Sequence, residues 1–380
     1  LYEVDLTNTD LSGATLTGVA SGNIKGVPSR LPVGWALVGG YLLGPGADLS
    51  GANLSNLNLK NLDLSDAKLP FAKITSSDLS NTDLSGASLN YATLVESNLS
   101  GVNLSNSSLT RLYTRLLTGT PAAIPSDWDL VQGYLVGPYA DLNDSSFDSV
   151  DFTTLNITGV SFVGSVIRNS NFAGLDFGNF VLDRTAFLTV NLTNANLKNA
   201  NLTLSCFAKV TGTPASLPPK WTLRSGYLFG PGANLTSQDF SNINFSGLDL
   251  SDIYLMGSNF TNANLAGIDL SAAHIEDVNM NGANLDQTNL TGLSLSGWIA
   301  HNTSGTPIGL NPDWQSISGY LIGPGANLSS VDFSGVDLRK AKLQGVNFVY
   351  ADLTDANLAG VDLTGVNLTG VHLYRTDLTN

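Results

Sequence analysis

The chain is poor in cysteine and in basic residues. Its 380 residues include one cysteine, Cys206, so no internal disulfide can form, and we expect a buried thiol rather than a reactive one. Lysine and arginine number 17 against 31 aspartates and glutamates, and the resulting net charge of −14 disfavours nucleic acid and anionic membranes as partners. The sequence has no uninterrupted apolar run long enough to cross a bilayer, so it offers no candidate for a membrane-spanning segment.

Sequence signatures of enzymes and metal sites are missing too. The three histidines, His274, His301 and His372, are far apart and belong to no metal-ligand pattern. There is no Gly-x-Ser-x-Gly motif, and the recurring Gly-Pro-Gly matches no phosphate-binding loop, so its glycines are expected to serve a turn. The sequence therefore predicts a protein that is not an enzyme and that has no cofactor and no metal site.

What the chain has in abundance is a five-residue cell. Residues 47–51 read Ala-Asp-Leu-Ser-Gly, and a large apolar residue, usually Leu, then holds the third place of cell after cell. In total 53 cells keep this phase. The third-place residues run through Leu6–Leu16, Leu49–Leu109, Leu142–Leu202, Leu235–Leu295 and Leu328–Leu378.

A period of five fits neither a long helix nor a long strand. Within a cell, the small first residue and the large third residue share one face, while the Asp or Asn between them points the other way. The last two residues, rich in Ser, Thr, Gly and Asn, are typical of a bend. One cell cannot bury its apolar pair alone, so we expect the cells to stack as a solenoid.

Runs such as ADLSGANL, ANLKNANL and ANLAGVDLTGVNL resemble the pentapeptide-repeat proteins. The resemblance implies an all-β fold, a right-handed quadrilateral β-helix with four cells per coil and Leu or Phe on its axis. At four cells per coil, the 53 cells would then make about 13 coils, which at roughly 4.8 Å between stacked chains predicts a rod about 64 Å long. Some members of that family look like duplex DNA and occupy the DNA-binding groove of gyrase.

A second period, of 93 residues, carries an insert that recurs four times. Each insert core reads as two short strands around a two-residue turn, which predicts a β-hairpin on the flank of the solenoid. The proline-rich segment upstream predicts a loop lying over the flank. Pro312 and Ser316 break the pattern, so the fourth insert is expected to pack a little differently. The recurring aromatic residues are Trp35, Trp128, Trp221, Trp314, Tyr41, Tyr134, Tyr227 and Tyr320.

The domain organisation that these periods predict is one continuous solenoid over 1–380. Residues 1–8 and 373–380 read LYEVDLTN and LYRTDLTN, which indicates a segment of a longer array. A chain whose limits were chosen for convenience is the alternative. The predicted parts are a partial repeat 1–25, repeat units 26–118, 119–211 and 212–304, and an incomplete unit 305–380.

With four cells per coil, residues at the same place of every fourth cell stack in rows. Asn244, Asn264 and Asn284 form one such row, whose amides are expected to exchange hydrogen bonds along the solenoid. Asp63 and Asp83 form part of another row with Asn103. Rows of aspartate would repel, so they either face water or hold a cation such as calcium.

The sequence leaves three possible functions. The first is a structural rod or filament, secreted or on the cell surface, that associates with itself end to end or continues in the same chain. The second is an adhesin that binds glycan or protein through the eight insert Trp and Tyr residues, although packing of the Trp rings on the flank is the alternative for those residues. The third, implied by the resemblance, is a DNA mimic that acts on gyrase in the cytoplasm, for which the net charge falls short.

Overall fold

The computed structural model describes residues 1–295 and 297–379. Two compact units divide the chain. The first unit comprises Leu1–Thr185 and Val190–Asn201, and the second comprises Ala186–Thr189 and Leu202–Asn380. Both units have the same architecture, and each is described by itself below.

Each unit is a β-solenoid whose regular coil consists of four five-residue cells. Parallel bridges join Asp48 to Lys68 and Lys68 to Ser88 in the first unit, and Asn244 to Asn264 in the second. Between coils the backbone forms a continuous ladder, in which the Leu49 N–H donates to the Lys68 carbonyl at 2.7 Å. Four cells per coil give a quadrilateral β-helix, so the predicted all-β solenoid fold is confirmed.

The first and third residues of the cell form the core. In the second unit, Ala263 and Leu265 of one cell are both fully buried. Phenylalanine replaces leucine on the axis at several levels, and the rings of Phe187 and Phe207 on successive coils stack with centroids 4.4 Å apart. Successive coils therefore bury each other's apolar pair, as the pattern predicts.

The fifth residue of the cell turns the chain through the corner. Asn61 and Asn81 hold φ angles of +59° and +57° at equivalent corners. This left-handed conformation suits Asn, Asp and Gly, which explains the composition of the position. Corner side chains also lean towards the next coil, and a Cβ added to Gly86 would come within 2.3 Å of the Asp66 carboxylate. Glycine at that corner leaves room for its neighbour.

Three-residue strands mark the most regular parts of the coils and the inserts. In the coils, β3, β4 and β5 pair in parallel, as do β8 with β9 and β10 with β11, whereas each insert holds an antiparallel pair. Single 3₁₀ turns at Phe152–Thr154 and Phe177–Asn179 replace two ordinary corners. The strands are β1 Ala36–Val38, β2 Tyr41–Leu43, β3 Lys73–Thr75, β4 Thr93–Val95, β5 Tyr113–Arg115, β6 Asp129–Val131, β7 Tyr134–Val136, β8 Ser146–Asp148, β9 Val166–Arg168, β10 Ala186–Leu188, β11 Cys206–Ala208, β12 Thr222–Arg224, β13 Tyr227–Phe229, β14 Gln315–Ile317 and β15 Tyr320–Ile322.

Candidate functional site

The inserts are β-hairpins, as the sequence predicts. In the first insert β1 pairs with β2, and in the third β12 pairs with β13 in the same register. Both residues of each tight turn have positive φ, for example +50° at Ser225 and +80° at Gly226. Two positive φ values match the twist of a two-residue hairpin and favour Gly at the second place.

The insert tryptophans pack against glycine inside their own inserts. A Cβ added to Gly230 would lie 2.3 Å from the Trp221 indole, and Gly44, Gly137 and Gly323 stand in the same relation to their own tryptophans. Trp128 and Trp314 are buried, and Trp35 and Trp221 are half-buried. The first glycine of Gly-Pro-Gly therefore makes room for an indole ring, a role that differs from the turn expected of it. Contact of these rings with a partner stays a prediction.

The insert tyrosines replace ladder hydrogen bonds at the place where each hairpin interrupts the coil. Their hydroxyls reach equivalent backbone positions one cell beyond the insert. Tyr41 and Tyr134 accept from N–H groups, while Tyr227 and Tyr320 donate to carbonyls. The bonds are Asn53 N to Tyr41 Oη at 3.2 Å, Ser146 N to Tyr134 Oη at 3.1 Å, Tyr227 Oη to Asp239 O at 3.0 Å and Tyr320 Oη to Asp332 O at 3.2 Å.

The proline-rich segment upstream of each hairpin follows the coil. Thr118 and Ala123 bridge to Asn98 and Asn103 of the preceding coil, at the usual spacing. The expected loop over the flank is therefore wrong, because these prolines occupy positions that donate no ladder hydrogen bond. In the fourth insert Asn289 bridges to Ile308, one residue short of that spacing, so the predicted departure of this insert is confirmed.

Each hairpin lengthens the coil that contains it by eight positions. In the first unit, Ala20 bridges to Asp48 across the first insert, and Tyr113 bridges to Asp141 across the second, whereas a regular bridge joins Asp48 to Lys68. Asp48 lies on the row of Lys68, but Tyr113 lies on the next row, which runs through Lys73. The second insert therefore leaves the solenoid one face further round than the first.

The same step occurs in the second unit. There the third insert ends on the row of Asn234, Tyr254 and His274, and the fourth begins on the neighbouring row of Asn279 and Ile299. Once the eight extra positions of the hairpin are set aside, each 93-residue repeat consists of four coils and one cell. A constant spacing in sequence thus becomes a quarter-turn step in space, which the sequence pattern did not reveal.

Asn and Asp side chains between the buried positions form ladders along each unit. The Asn264 amide donates to Asn244 Oδ1 at 3.0 Å, and the Asn284 amide donates to Asn264 Oδ1 at 3.0 Å. The predicted amide exchange in this row is confirmed. Each of these oxygens also accepts the backbone N–H two residues on, as Asn264 does from Ala266 at 3.2 Å. The outward row is thereby tied to both its own coil and the next.

Aspartate occupies the same positions and accepts the same bonds. Asp269 accepts from the Ser271 N–H at 2.9 Å, from the Ser271 hydroxyl at 2.6 Å and from the Asn289 amide at 3.0 Å. The hydroxyl and backbone bonds from Ser271 lower the pKa of the Asp269 carboxyl below its ordinary value. At Asp337 the bonds from Arg339 lower the pKa to about 2. These carboxylates are held charged by the fold itself.

Among residues 1–295 and 297–379, no group of three or more His, Cys, Asp or Glu side chains is placed to hold a metal ion. In the row of Asp63, Asp83 and Asn103, the Asn103 amide donates to Asp83 Oδ1 at 3.0 Å. His274 stacks on Tyr254 with ring centroids 4.2 Å apart.

Burial raises the pKa of the Cys206 thiol to about 11, so the protonated form predominates at neutral pH.

The open groove beside Gly247, Asp249 and Asp269 has a volume of about 410 Å³, and the Lys220 ammonium is paired with Asp249 there at 3.0 Å. No described helix is long and apolar enough to span a bilayer.

Four exposed aromatic side chains occupy corners of the coils, and the sequence pattern had shown only Tyr139 among them, as a replacement for the second glycine of Gly-Pro-Gly. Phe71, Tyr91, Tyr139 and Tyr350 hold corner positions with φ between +57° and +60°. Asn, Asp, Gly or Ser stands at most other corners. The signal that could have found them is an aromatic residue at the fifth place of a cell.

The match to a known protein family falls on the regular coils and not on the hairpin strands. The model of the pentapeptide repeats matches in eight copies, over residues 46–81, 77–111, 253–292, 324–348 and 347–380. No curated protein matches the sequence.

Several solved structures are similar to this chain at low identity. HetL, a pentapeptide repeat protein involved in heterocyst differentiation regulation in the cyanobacterium Nostoc, is 20% identical over 86% of this chain and 86% of its own, with a TM-score of 0.17. QnrB1, a plasmid-mediated fluoroquinolone resistance protein, is 16% identical over 84% of this chain and 92% of its own, with a TM-score of 0.16. A pentapeptide repeat protein of the Arabidopsis thaliana thylakoid lumen is 22% identical over 38% of this chain and 70% of its own, with a TM-score of 0.11.

Proposed function

Because the chain is a pentapeptide-repeat protein, we propose that it is a non-enzymatic structural spacer that holds hairpins at fixed angular steps, outside the cell or on its surface. The observation that carries this proposal is the quarter-turn step between successive inserts in each unit. A scaffold of this kind needs rigid coils and equivalent projections, and it needs no cleft.

Two features support rigidity. The apolar axis is filled by side chains such as Leu265 and Phe260, both fully buried, so coils cannot slide without opening the core. On the outside, amide ladders such as Asn244, Asn264 and Asn284 connect each coil to the next. In addition, the Tyr hydroxyl bonds fix each hairpin to the coil beyond it.

A distance measurement tests the spacer function. Spin labels at the exposed hairpin tips Ser225 and Ser318, in a Cys206→Ser background, should give a single narrow distance distribution within the second unit. A broad or multiple distribution would contradict a rigid spacer. Antibodies against the same tips should label intact cells, and labelling only after lysis would contradict an external location.

The adhesin alternative finds little support at the inserts. Their Trp and Tyr rings pack internally, and the exposed tip residues Gln132, Ser225 and Ser318 are small or polar. Binding of glycan or protein that is abolished by changes at these tips would favour the adhesin over the spacer.

The DNA-mimic alternative requires a continuous acidic surface. The net charge of −14 is spread over 380 residues, and the stretch 108–115 of the first unit carries two arginines and no carboxylate. Inhibition of gyrase supercoiling by the purified chain at low micromolar concentration would favour that alternative. End-to-end self-association stays a prediction, which sedimentation at increasing protein concentration would test.

A further inference from the structure

One corner column of the first unit presents aromatic side chains to solvent. Phe71, Tyr91, Arg111 and Tyr139 follow one another up this column, because each corner N–H donates to the next coil beside the next corner. The exposed fractions of the aromatic side chains are 67% for Phe71, 55% for Tyr91 and 49% for Tyr139. Large exposed apolar groups at adjacent positions are unusual on a soluble surface and indicate contact with a partner.

The first two rings form a stack. The centroids of Phe71 and Tyr91 lie 5.2 Å apart with 15° between the ring planes. Tyr139, at the other end of the column, covers Gly159, where an added Cβ would lie 2.5 Å from the ring. The column is therefore held in place by contacts along the solenoid, and its outer ring edges remain free.

The surface beside this column is basic in an acidic protein, and carboxylates border it: Asp48 next to Lys68 at one end, Asp141 next to Tyr113 at the other, and Glu96 directly after the second stretch. It is formed by three stacked stretches, 68–75, 88–95 and 108–115, which we call the basic aromatic strip together with Tyr139. The three stretches contain no aspartate or glutamate, although the chain has 31 of them. Their basic residues, all exposed, are Lys68, Lys73, Arg111 and Arg115.

We propose that the basic aromatic strip binds a linear acidic polysaccharide, a polymer of pyranose rings that carry carboxylates. Apolar C–H groups of the pyranose rings contact the free ring edges of the column, and the sugar carboxylates pair with Lys68, Lys73 and Arg111. The coil rise of roughly 4.8 Å is close to the length of one pyranose unit in an extended chain, so successive coils meet successive sugars. The site adjoins the second hairpin, since the Leu135 N–H of β7 donates to Thr114 Oγ1 of β5 at 2.9 Å, but it does not rest on the proposed spacer function.

Charge and shape favour this ligand over other polymers. The side chains of the strip follow one another along the coil axis, an arrangement that suits an extended polymer better than a compact domain. A second copy of this chain is acidic overall, but it could occupy the strip only if it presented a linear acidic edge of matching length. Single-stranded nucleic acid shares the charge and would stack its bases, so it is included as a competing ligand in the test.

The test uses sodium polygalacturonate and its fully methyl-esterified form as probes. Titration calorimetry and native electrophoresis in polymer-containing gels should show that the intact chain binds the acidic form, with affinity that falls as salt rises. Phe71→Asn with Tyr91→Asn should weaken binding by about tenfold or more. Asn is chosen because Asn61 and Asn81 hold the same kind of corner with nearly the same φ. Lys68→Gln with Lys73→Gln should also weaken binding and reduce its salt dependence.

The matched control is Tyr350→Asn, which removes an aromatic residue that is 69% exposed at a corner of the second unit. This variant should bind polygalacturonate as the unchanged chain does. The proposal is overturned if the unchanged chain does not bind, if the esterified polymer binds equally well, or if both double variants bind normally. Tighter binding of single-stranded DNA, or self-association that depends on the strip, would likewise overturn it in favour of those partners.

Discussion

The third residue of the cell is the main source of stability at the scale of single residues. Leu265 is fully buried, with coils on both sides. Leu265→Ala should lower the free energy of unfolding by about 2–5 kcal/mol, because the surrounding coils cannot collapse into the space. Urea unfolding followed by circular dichroism measures this. Leu373 holds the same place in its cell but is 39% exposed, so Leu373→Ala should cost less than about 1 kcal/mol. Equal losses for the two variants would contradict the core assignment.

Acid sensitivity also arises from single residues. Hydrogen bonds from Ser241 and Ser271 lower the pKa values of Asp239 and Asp269 below 3.8. A folded pKa below the unfolded value means that the bonded carboxylates contribute stability that is fully present above about pH 4. This stability is lost as the pH falls through the lowered pKa values. The chain should therefore unfold at lower urea concentration at pH 2.5 than at pH 7.

Replacement of both aspartates by asparagine should reduce this acid sensitivity. Asn keeps the accepting oxygen, as Asn264 shows in an adjacent row, but it does not titrate in this range. The comparison is the difference in urea midpoint between pH 7 and pH 2.5. Asp252→Asn with Asp277→Asn, at two exposed corners, removes the same two charges and serves as the control. If the urea midpoint falls by the same amount between pH 7 and pH 2.5 in the variant of Asp239 and Asp269 and in the control, the role of the hydrogen bonds is contradicted.

At the scale of the element, the hairpin depends on the fit between an indole and a glycine. Gly230→Ala should destabilise the third insert by about 1–3 kcal/mol, because the new methyl group would overlap the Trp221 ring. Near-ultraviolet circular dichroism and the thermal midpoint measure the effect. Gly13→Ala serves as a control, since a Cβ there has open space.

A smaller partner should relieve this strain. In the double variant Trp221→Leu with Gly230→Ala, the added cost of the glycine change should be smaller than in the presence of the indole. Equal costs in the two backgrounds would show that the glycine is needed for its backbone and not for the ring.

The sequence predicts the regular parts of the molecule because they depend on local repetition. Five-residue phasing was enough to identify buried positions such as Leu265 and to predict the amide row through Asn264. The contact of Trp221 with Gly230 was missed because it depends on how the chain returns after the hairpin turn. The sequence did not show that Arg111 and Tyr139 lie at neighbouring corners of one column. A coil that contains an insert separates them, so their spacing can be interpreted only once the length of the hairpin is known.

At the scale of a whole unit, the angle between hairpins is set by counting cells. In the second unit the third and fourth inserts are separated by four coils and one cell, so they leave neighbouring faces. Deletion of one cell, residues 263–267, keeps the phase of the pattern and leaves four whole coils between them. Both hairpins should then project from the same face, with tips separated by roughly 19 Å along the axis at about 4.8 Å per coil.

Spin labels at Ser225 and Ser318 measure this rearrangement directly. The mean distance between the tips should shorten in the one-cell deletion, and the distribution should stay narrow because every remaining cell still stacks on a cell. Deletion of a whole coil, residues 258–277, is the matched control, since it shortens the axis by one coil but preserves the quarter-turn step. If the one-cell deletion unfolds the second unit while the whole-coil deletion does not, then the rows are tied to particular partners such as Asn264 and Asn284. The cells would in that case not be interchangeable, and the angle between hairpins would be set by specific pairing in place of cell number.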